Sequence, residues 1–321
     1  MNILFYSSHD DISAGSYRIW VRNLNDYFND VGVSSKVAIR DLPDLTPFEV
    51  VIFGKSDFRL AGKTKDLYPN KKIGVINLQR DCENLNVDFL IVGSIEEQAS
   101  HSSYKNVFLF PLIEKMYYDS SLYKRHQQVD TLRIGFHGNM THLSKFALGM
   151  NAAIEELAKQ ISVEFLVVSS GLINNTVLPN ANVIGIQWNF DTIADALLSC
   201  DIGVVPNAVI RGVTSESPNQ GLFGTDYSMR FKNKSNSGRA FVFHQLGIPV
   251  IADITPSHFH IMGNPDCGFL VANEEGWYKA FLKLTNYKER QKIADSAKRE
   301  FDRLYDPYDW AKKLYVSIKG I

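Results

Sequence analysis

The stretch LRIGFHGNMTHL, Leu132–Leu143, decides how the chain is partitioned. A short apolar run stops at the Gly138-Asn139 turn and leads into a helix entrance, which is how a β–α unit begins. Just before it the polar segment YKRHQQVDT, 123–131, interrupts the apolar pattern and is the best linker candidate. Upstream of that break a similar pattern has already run once. NILFYS (2–7), VSSKVAI (33–39), EVVIFGK (49–55), KIGVINL (72–78), DFLIVGS (88–94) and NVFLFP (106–111) read as strands. Helical stretches lie between several of them; in SYRIWVRNLNDYFNDVG (16–32), Ile19, Leu24, Tyr27 and Phe28 fall near helical spacing before a stop at Gly32. Downstream the pattern starts again, with helices around SKFALGMNAAIEELAKQ (144–160) and DTIADALLSC (191–200), and strands at VEFLVVSS (163–170), NVIGI (182–186), DIGVVP (201–206), IPVIAD (248–253) and GFLVA (268–272).

Alternation of this kind predicts a mostly parallel sheet wrapped by helices, here formed twice, so the expected class is α/β with two Rossmann-like domains. The boundaries expected are 1–128 and 129–306, with the amphipathic segment 307–321 beyond Pro307 packing back on the first domain. At 321 residues the chain is long enough for both, and 45% hydrophobic with 21% charged residues is a globular composition. A net charge of −1 provides no chain-wide basic field, so nucleic acid is not an expected partner. MNILFYSSHDD opens as a strand rather than as a secretory leader, and no apolar run reaches membrane-spanning length. Cys82, Cys200 and Cys267 are few, odd in number and without metal spacing, which suits a reducing cytoplasm.

Positive charge gathers in one place. The connection after DIGVVP, from Pro206 to about Lys234, carries Arg211, Arg230, Lys232 and Lys234 and leads to the helix of FKNKSNSGRAFVFHQLGIPVIAD (231–253). That connection exceeds the roughly 12–15 residues beyond which a structureless loop is usually functional or disordered. Ser235, Asn236 or Ser237 caps the helix, Arg239 follows, and Gly247 ends it. Free backbone N–H groups, the helix dipole and flanking cations make an anion site suited to a phosphate or diphosphate. The alternative is a solvated loop and helix entrance. Gly138-Asn139 belongs to the same edge of the sheet if the strands are parallel; taken alone it is no more than a tight turn.

These motifs resemble, in order, the donor-binding domain of GT-B glycosyltransferases related to family four: IGFHGNMTHL, CDIGVVP, KSNSGRAFVFHQLGIPVIAD, CGFLV and a closing YDWAKKLY. The resemblance covers roughly Leu132 to Tyr315; the first lobe matches in outline. It implies two Rossmann-like domains facing a central cleft, with the sugar-nucleotide diphosphate held at Lys234–Asn236 and the Gly138-Asn139 turn approaching donor or acceptor. Two departures stand out. Family-four enzymes carry two glutamates with seven residues between them, the second five positions before the helix-ending glycine, and this chain has Lys234 and Val242 there.

In such an enzyme the acceptor side falls on the first domain. Candidates there are His9 and Asp10 after the first strand, either able to take a proton from an acceptor hydroxyl, and Lys55 after the third. Gly15 with Arg18 resembles the glycine turn that the family aims at donor phosphates or acceptor, and Asp81 lies beyond VINLQR. Turn capping is the competing reading for Asp10 and Asp11, and a plain surface cation for Lys55. A metal at His9-Asp10-Asp11 is not expected, because neighbours at a strand end point different ways. His258, His260 and Cys267 read as loop residues rather than zinc ligands, and Trp188 is a minor candidate for a base contact. The expected activity is transfer of a sugar from a nucleotide-sugar donor to a glycan or lipid-linked acceptor in surface polysaccharide synthesis. It is expected to be metal-independent and cytoplasmic, and contact with the inner face of the membrane is compatible with a lipid-linked acceptor. A non-catalytic nucleotide-sugar-binding or partner-binding subunit is the alternative; a two-lobed epimerase is a weaker one.

Overall fold

The computed structural model of the chain describes residues 1–78, 85–144, 148–171, 181–207, 210–213, 227–230 and 236–321. Contacts divide these into two units, one formed by Met1–Leu122, Asn236–Val242 and Phe301–Ile321, the other by Tyr123–Ser235 and Phe243–Glu300.

The first unit holds β1 (Ile3–Ser7), β2 (Ser35–Ile39), β3 (Val50–Phe53), β4 (Lys72–Ile76), β5 (Phe89–Val92) and β6 (Val107–Leu109). They form one parallel sheet in the order β2-β1-β3-β4-β5-β6. β1, β3 and β5 are buried along their whole length, the mark of strands covered on both faces. One apolar layer joins Ile3, Phe5, Ile52 and Ile91 to Trp20, Leu24 and Phe28 of the helical stretch Gly15–Asp30, and the other joins Leu4, Tyr6, Val51 and Phe53 to Ala61. The C-terminal helix Pro307–Lys319 adds Ala311, Leu314 and Ile318 to the first layer. Its entrance is capped by Asp306, whose Oδ1 accepts from the N–H groups of Tyr308 and Asp309 at 2.8 and 3.1 Å.

The second unit contains β7 (Thr131–His137), β8 (Ser162–Ser169), β9 (Asn182–Gln187), β10 (Ile202–Val205), β13 (Val250–Asp253) and β14 (Phe269–Val271), parallel in the order β14-β13-β10-β7-β8-β9. Its core gathers Ile134, Phe136, Phe165, Val204 and Ile251 against the helices Leu148–Ala158 and Glu274–Leu284, with Trp277 buried at the centre.

Two expectations change. The connection from Pro206 to Lys234 is not structureless, because β11 (Ile210–Val213) pairs antiparallel with β12 (Tyr227–Arg230). The polar segment 123–131 is no free tether either; it is tied to the second unit by backbone and side-chain bonds. Lys124 N donates to Leu246 O (2.9 Å), His126 N to Gln291 Oε1 (2.8 Å), and the fully buried Arg290 donates to Gln127 O (2.8 Å). A polar composition signalled a linker, but satisfied polar groups can dock as firmly as apolar ones. Among the described residues no helix is long and apolar enough to cross a membrane.

Candidate active site

In open parallel sheets, ligands bind beyond the carboxyl ends of the strands where the strand order reverses. The first sheet reverses between β1 and β3, since the chain passes from β1 to β2 on one side and returns to β3 on the other. His9 and Asp10 follow β1, and Lys55 and Asp57 follow β3, so the sequence candidates stand at the reversal. In the second sheet the reversal lies between β7 and β10, where His137 and Gly138 meet Pro206 and Asn207.

At the first reversal the loop after β1 is closely held. Ser7 Oγ donates to His9 O (2.7 Å), and Ser8 N donates across to Asp57 Oδ2 (3.2 Å). Asp57 is buried and joins the two strand ends, a position the sequence reading passed over because its strand-end context is set only by pairing. Asp11 behaves as a turn residue: its Oδ1 accepts from Ser13 N (2.8 Å) and Ser13 Oγ (2.7 Å), and these bonds hold its carboxyl below the usual range. Asp10 instead pairs with Arg40 (2.9 Å), and the His9 ring lies 6.0 Å from that of Tyr17. Lys55 is half-buried in the short helical turn Lys55–Asp57. Asp81 lies outside the described residues.

Arg18 corrects an expectation. Instead of projecting toward phosphate it is buried in the π-type turn Arg18–Asn23, with Nε on Glu114 Oε2 (2.9 Å) and Nη1 on Ile12 O (2.7 Å) and Ser13 O (3.2 Å). A guanidinium removed from water needs such partners, and here they bolt the loop preceding Gly15 to the Glu114 region. Gly15 opens the helix beside it, with no positive φ.

Arg40, unnoticed in the sequence, has φ +66° directly after β2. Asp41 N donates to Ile39 O at 2.7 Å, so Arg40 is the centre of a γ-turn with positive φ, a rare and strained form. Its own N–H reaches Ser7 O (2.9 Å), and Tyr6 Oη donates to its carbonyl (2.7 Å). Burial, then the nearby Asp57 and Asp41, raises the Tyr6 pKa, which keeps that hydroxyl a donor. Backbone strain of this kind costs about 1–3 kcal/mol, whereas an exposed ion pair such as Arg40–Asp10 returns about 0.2–1 kcal/mol. The pair alone does not account for the turn.

The second sheet's edge is built differently. Asn207 N donates to Asp253 Oδ2 (2.9 Å) across the ends of β10 and β13, and both residues are buried. His258 sits on the helix Pro256–Met262 rather than in a loop, as does His260, because Pro256 at the first helical position starts a helix. The His258 ring is buried with Nδ1 3.0 Å from Asp253 O. Beside it is His244, whose two ring nitrogens have no hydrogen-bond partner among the described residues; burial, and then His258, lower its pKa to about 3. Gly138, at φ +127°, needs to be glycine, and its N–H donates to Val168 O (3.0 Å). Asn139 caps the next helix, accepting from Thr141 N (2.9 Å) and Oγ1 (2.8 Å). Trp188 follows β9 at the edge of the sheet, its N–H on Ser169 O.

Of the proposed diphosphate cradle, Lys232, Lys234 and Ser235 lie outside the described residues, and Arg230 ends β12 opposite Ile210. Asn236 Oδ1 accepts from Gly238 N (3.3 Å) at the entrance of the helix Gly238–Gln245. Ser237 Oγ is buried without a partner among the described residues, and Arg239 is half-buried in the first turn. The helix ends as glycine predicts: Gly247 has φ +69° and Ile248 N returns to Phe243 O (2.9 Å).

No family model matches the chain, and no curated protein matches it in sequence. Solved structures do. HepE (Alr3699) of Anabaena in complex with UDP and glucose aligns over 100% of both chains, with TM-score 0.67 and 11% identity. This chain has the GT-B fold. Sucrose-phosphate synthase of Thermosynechococcus elongatus aligns over 99% of this chain and 98% of its own, with TM-score 0.66 and 11% identity. WaaG, a glycosyltransferase involved in lipopolysaccharide biosynthesis, covers 99% of this chain and 100% of its own, with TM-score 0.63 and 12% identity.

Within this GT-B chain, Val242 lies buried in the helix where family-four enzymes keep their second glutamate. An apolar side chain cannot grip a ribose hydroxyl. Asn207 and Asp253 are the polar residues that the GT-B framework places at neighbouring strand ends, and the strand-terminal positions in DIGVVPN and VIAD were the signal for them.

Proposed function

We propose that the protein is a glycosyltransferase that moves a sugar from a nucleotide-sugar donor to a glycan or lipid-linked acceptor at the inner face of the membrane. The observation that carries this reading is the polar strand end at each sheet's reversal, in a fold shared with a protein crystallised with UDP and glucose. The second unit's edge, with Gly138, Asn139, Asn207 and Asp253, is assigned to the donor. Asn236, Ser237, Arg239, Arg230, Lys232, Lys234 and Ser235 are assigned to its diphosphate, where helix N–H groups and cations offset the charge growing on the leaving group. His9, Asp10 and Lys55 are assigned to the acceptor, with Asp10 taking the proton of its hydroxyl. Arg18 supports the loop that carries them.

Thermal-shift measurements with UDP, GDP, dTDP and their glucose conjugates test the donor assignment, because a ligand that binds the native state raises its apparent stability. Stabilisation selective for one base, with release of the nucleoside diphosphate from its sugar conjugate, is the expected result; no shift with any of them overturns the reading. Release is expected to persist in EDTA and to fall with added salt, since fixed cations rather than a bound metal carry the leaving-group charge. Loss in EDTA with recovery in magnesium or manganese would reverse that part. The Lys234 and Val242 replacements favour a second reading, a non-catalytic nucleotide-sugar-binding or partner-binding subunit, which tight donor binding with no transfer to any extract-derived acceptor would support.

A further inference from the structure

We propose that Arg40 is a positioning residue of the acceptor side, a guanidinium that the γ-turn after β2 holds against Asp10 so that the free lone pairs of that carboxylate meet the acceptor hydroxyl. The inference rests on the reading of Asp10 as the proton acceptor.

Three features converge on it. β2 lies beside β1 on the side away from β3, and the register pairing Ser7 with Ile39 brings Arg40 level with the start of the His9-Asp10 loop. The peptide groups around Arg40 are fixed from three directions, by Ser7 O, by Tyr6 Oη and by the Asp41 N–H to Ile39 O bond of the turn itself. The guanidinium is nevertheless 70% exposed and reaches only as far as the adjoining loop, to Asp10 Oδ1. A turn built for stability would direct its side chain inward, as Arg18 does. This one fixes the backbone and presents the charge at the sheet edge.

The two neighbouring aspartates show what the pairing accomplishes. Asp11 accepts through Oδ1 from Ser13 N and Oγ, so its carboxylate is oriented by its own turn rather than by another part of the sheet edge. Asp10 is held through one oxygen by a donor from the turn after β2, leaving its second oxygen unencumbered by that bond. In the reaction assigned above, the acceptor O–H proton passes to that carboxylate while the hydroxyl oxygen bonds to the anomeric carbon. The bond from that carbon to the diphosphate breaks, and the nucleoside diphosphate leaves with its electron pair. A carboxylate that swings freely meets this geometry only part of the time, and small misplacements of a reacting group are expensive in rate.

The test is a double-mutant cycle with Asp10→Asn and Arg40→Gly, assayed by nucleoside diphosphate release from the glucose conjugate that stabilises the protein, UDP-glucose being tried first, with water as the acceptor whose oxygen takes the glucosyl group. Glycine accepts φ +66° without strain, so Arg40→Gly removes the guanidinium and spares the turn, and a thermal melt verifies the fold. Arg40→Gly is expected to lower kcat about 2- to 5-fold, as much as an exposed ion pair can hold, with the Kd for the nucleoside diphosphate unchanged. Arg40→Lys should recover part of the loss, and the double variant should be no slower than Asp10→Asn alone. Wild-type turnover by Arg40→Gly beside an impaired Asp10→Asn overturns this proposal and leaves the function standing. Multiplying losses in the double variant overturn it too, by giving Arg40 a role independent of Asp10. Wild-type turnover by Asp10→Asn, or no release by the wild-type protein, removes the reading and the proposal together.

Discussion

At the edge of the first sheet, the side chains of Asp10 and Arg40 are 54% and 70% exposed, whereas Asn207, Asp253, Thr255 and His258 at the edge of the second are at most 3% exposed. Both edges occupy the same place in their folds, beyond the carboxyl ends of parallel strands. The difference is in what a change there disturbs. Exposed charges exchange partners with water at little energetic cost, so substitutions among them should alter chemistry and leave the fold alone. Buried polar groups depend on their partners, so substitutions among them should alter the fold first.

The largest expected effect tests the exposed side. Asp10→Asn should lower kcat about 100- to 10,000-fold, the range for loss of a general base, with the melting temperature and nucleotide affinity nearly unchanged. A large drop in melting temperature instead would mean that the first edge is as structural as the second.

Acid provides the next test, on the buried side. His126, whose Nε2 lies 3.0 Å from Gly247 O, has its pKa lowered to about 4 by burial, and that of His244 is lowered to about 3. Both are neutral in the native state at a pH where the unfolded chain, near 6.5, already binds protons. Stability is therefore complete above about pH 6.5 and declines as pH falls toward 4, by up to about 1.4 kcal/mol per pH unit for each group. Urea titrations from pH 7.5 to 4.5 should show this slope. His244→Leu should reduce it without loss at pH 7.5, because no hydrogen bond to the ring is given up. An unchanged slope would place the acid sensitivity elsewhere.

A smaller loss is expected from Asp253→Ala, which leaves the buried Asn207 N–H without its acceptor. About 1–3 kcal/mol of stability should disappear in urea unfolding, together with nucleotide affinity. Full stability would erase the contrast between the edges. The smallest effect belongs to Arg40→Gly: relief of the strained γ-turn is offset by the lost ion pair together with the chain entropy that glycine adds to the unfolded state, so stability should shift by under about 1 kcal/mol. A larger loss would show that the pair, rather than the anchored backbone, holds the turn.

Much of the fold was legible because it is local. Apolar runs such as Val50–Phe53 and Ile202–Val205 can only be buried strands when helical stretches flank them, and the restart at Leu132 separates two sheets. Glycine chemistry was legible for the same reason: Gly138 and Gly247 adopt positive φ where a turn and a helix end were expected. The candidate site was legible only in part. Asp10 and Lys55 stand at the reversal because strand ends can be read from the chain, but Arg18 carries the same charge as any surface arginine, and nothing in its neighbourhood in sequence announces Glu114, 96 residues away.

The sequence by itself determined the α/β class, two successive sheets, the helix ending at Gly247 and the strand ends at which chemistry could occur, since each follows from periodicity or from one residue's backbone preference. Tertiary structure alone decided the rest. Strand order places the reversals between β1 and β3 and between β7 and β10. Pairing across strands turns Arg18 inward, closes Asp253 onto Asn207 and holds Arg40 in a turn it would not adopt alone. These are contacts between residues tens of positions apart, and whether a charged side chain faces solvent or a partner is settled by the desolvation and hydrogen bonds it finds there, which no local pattern encodes.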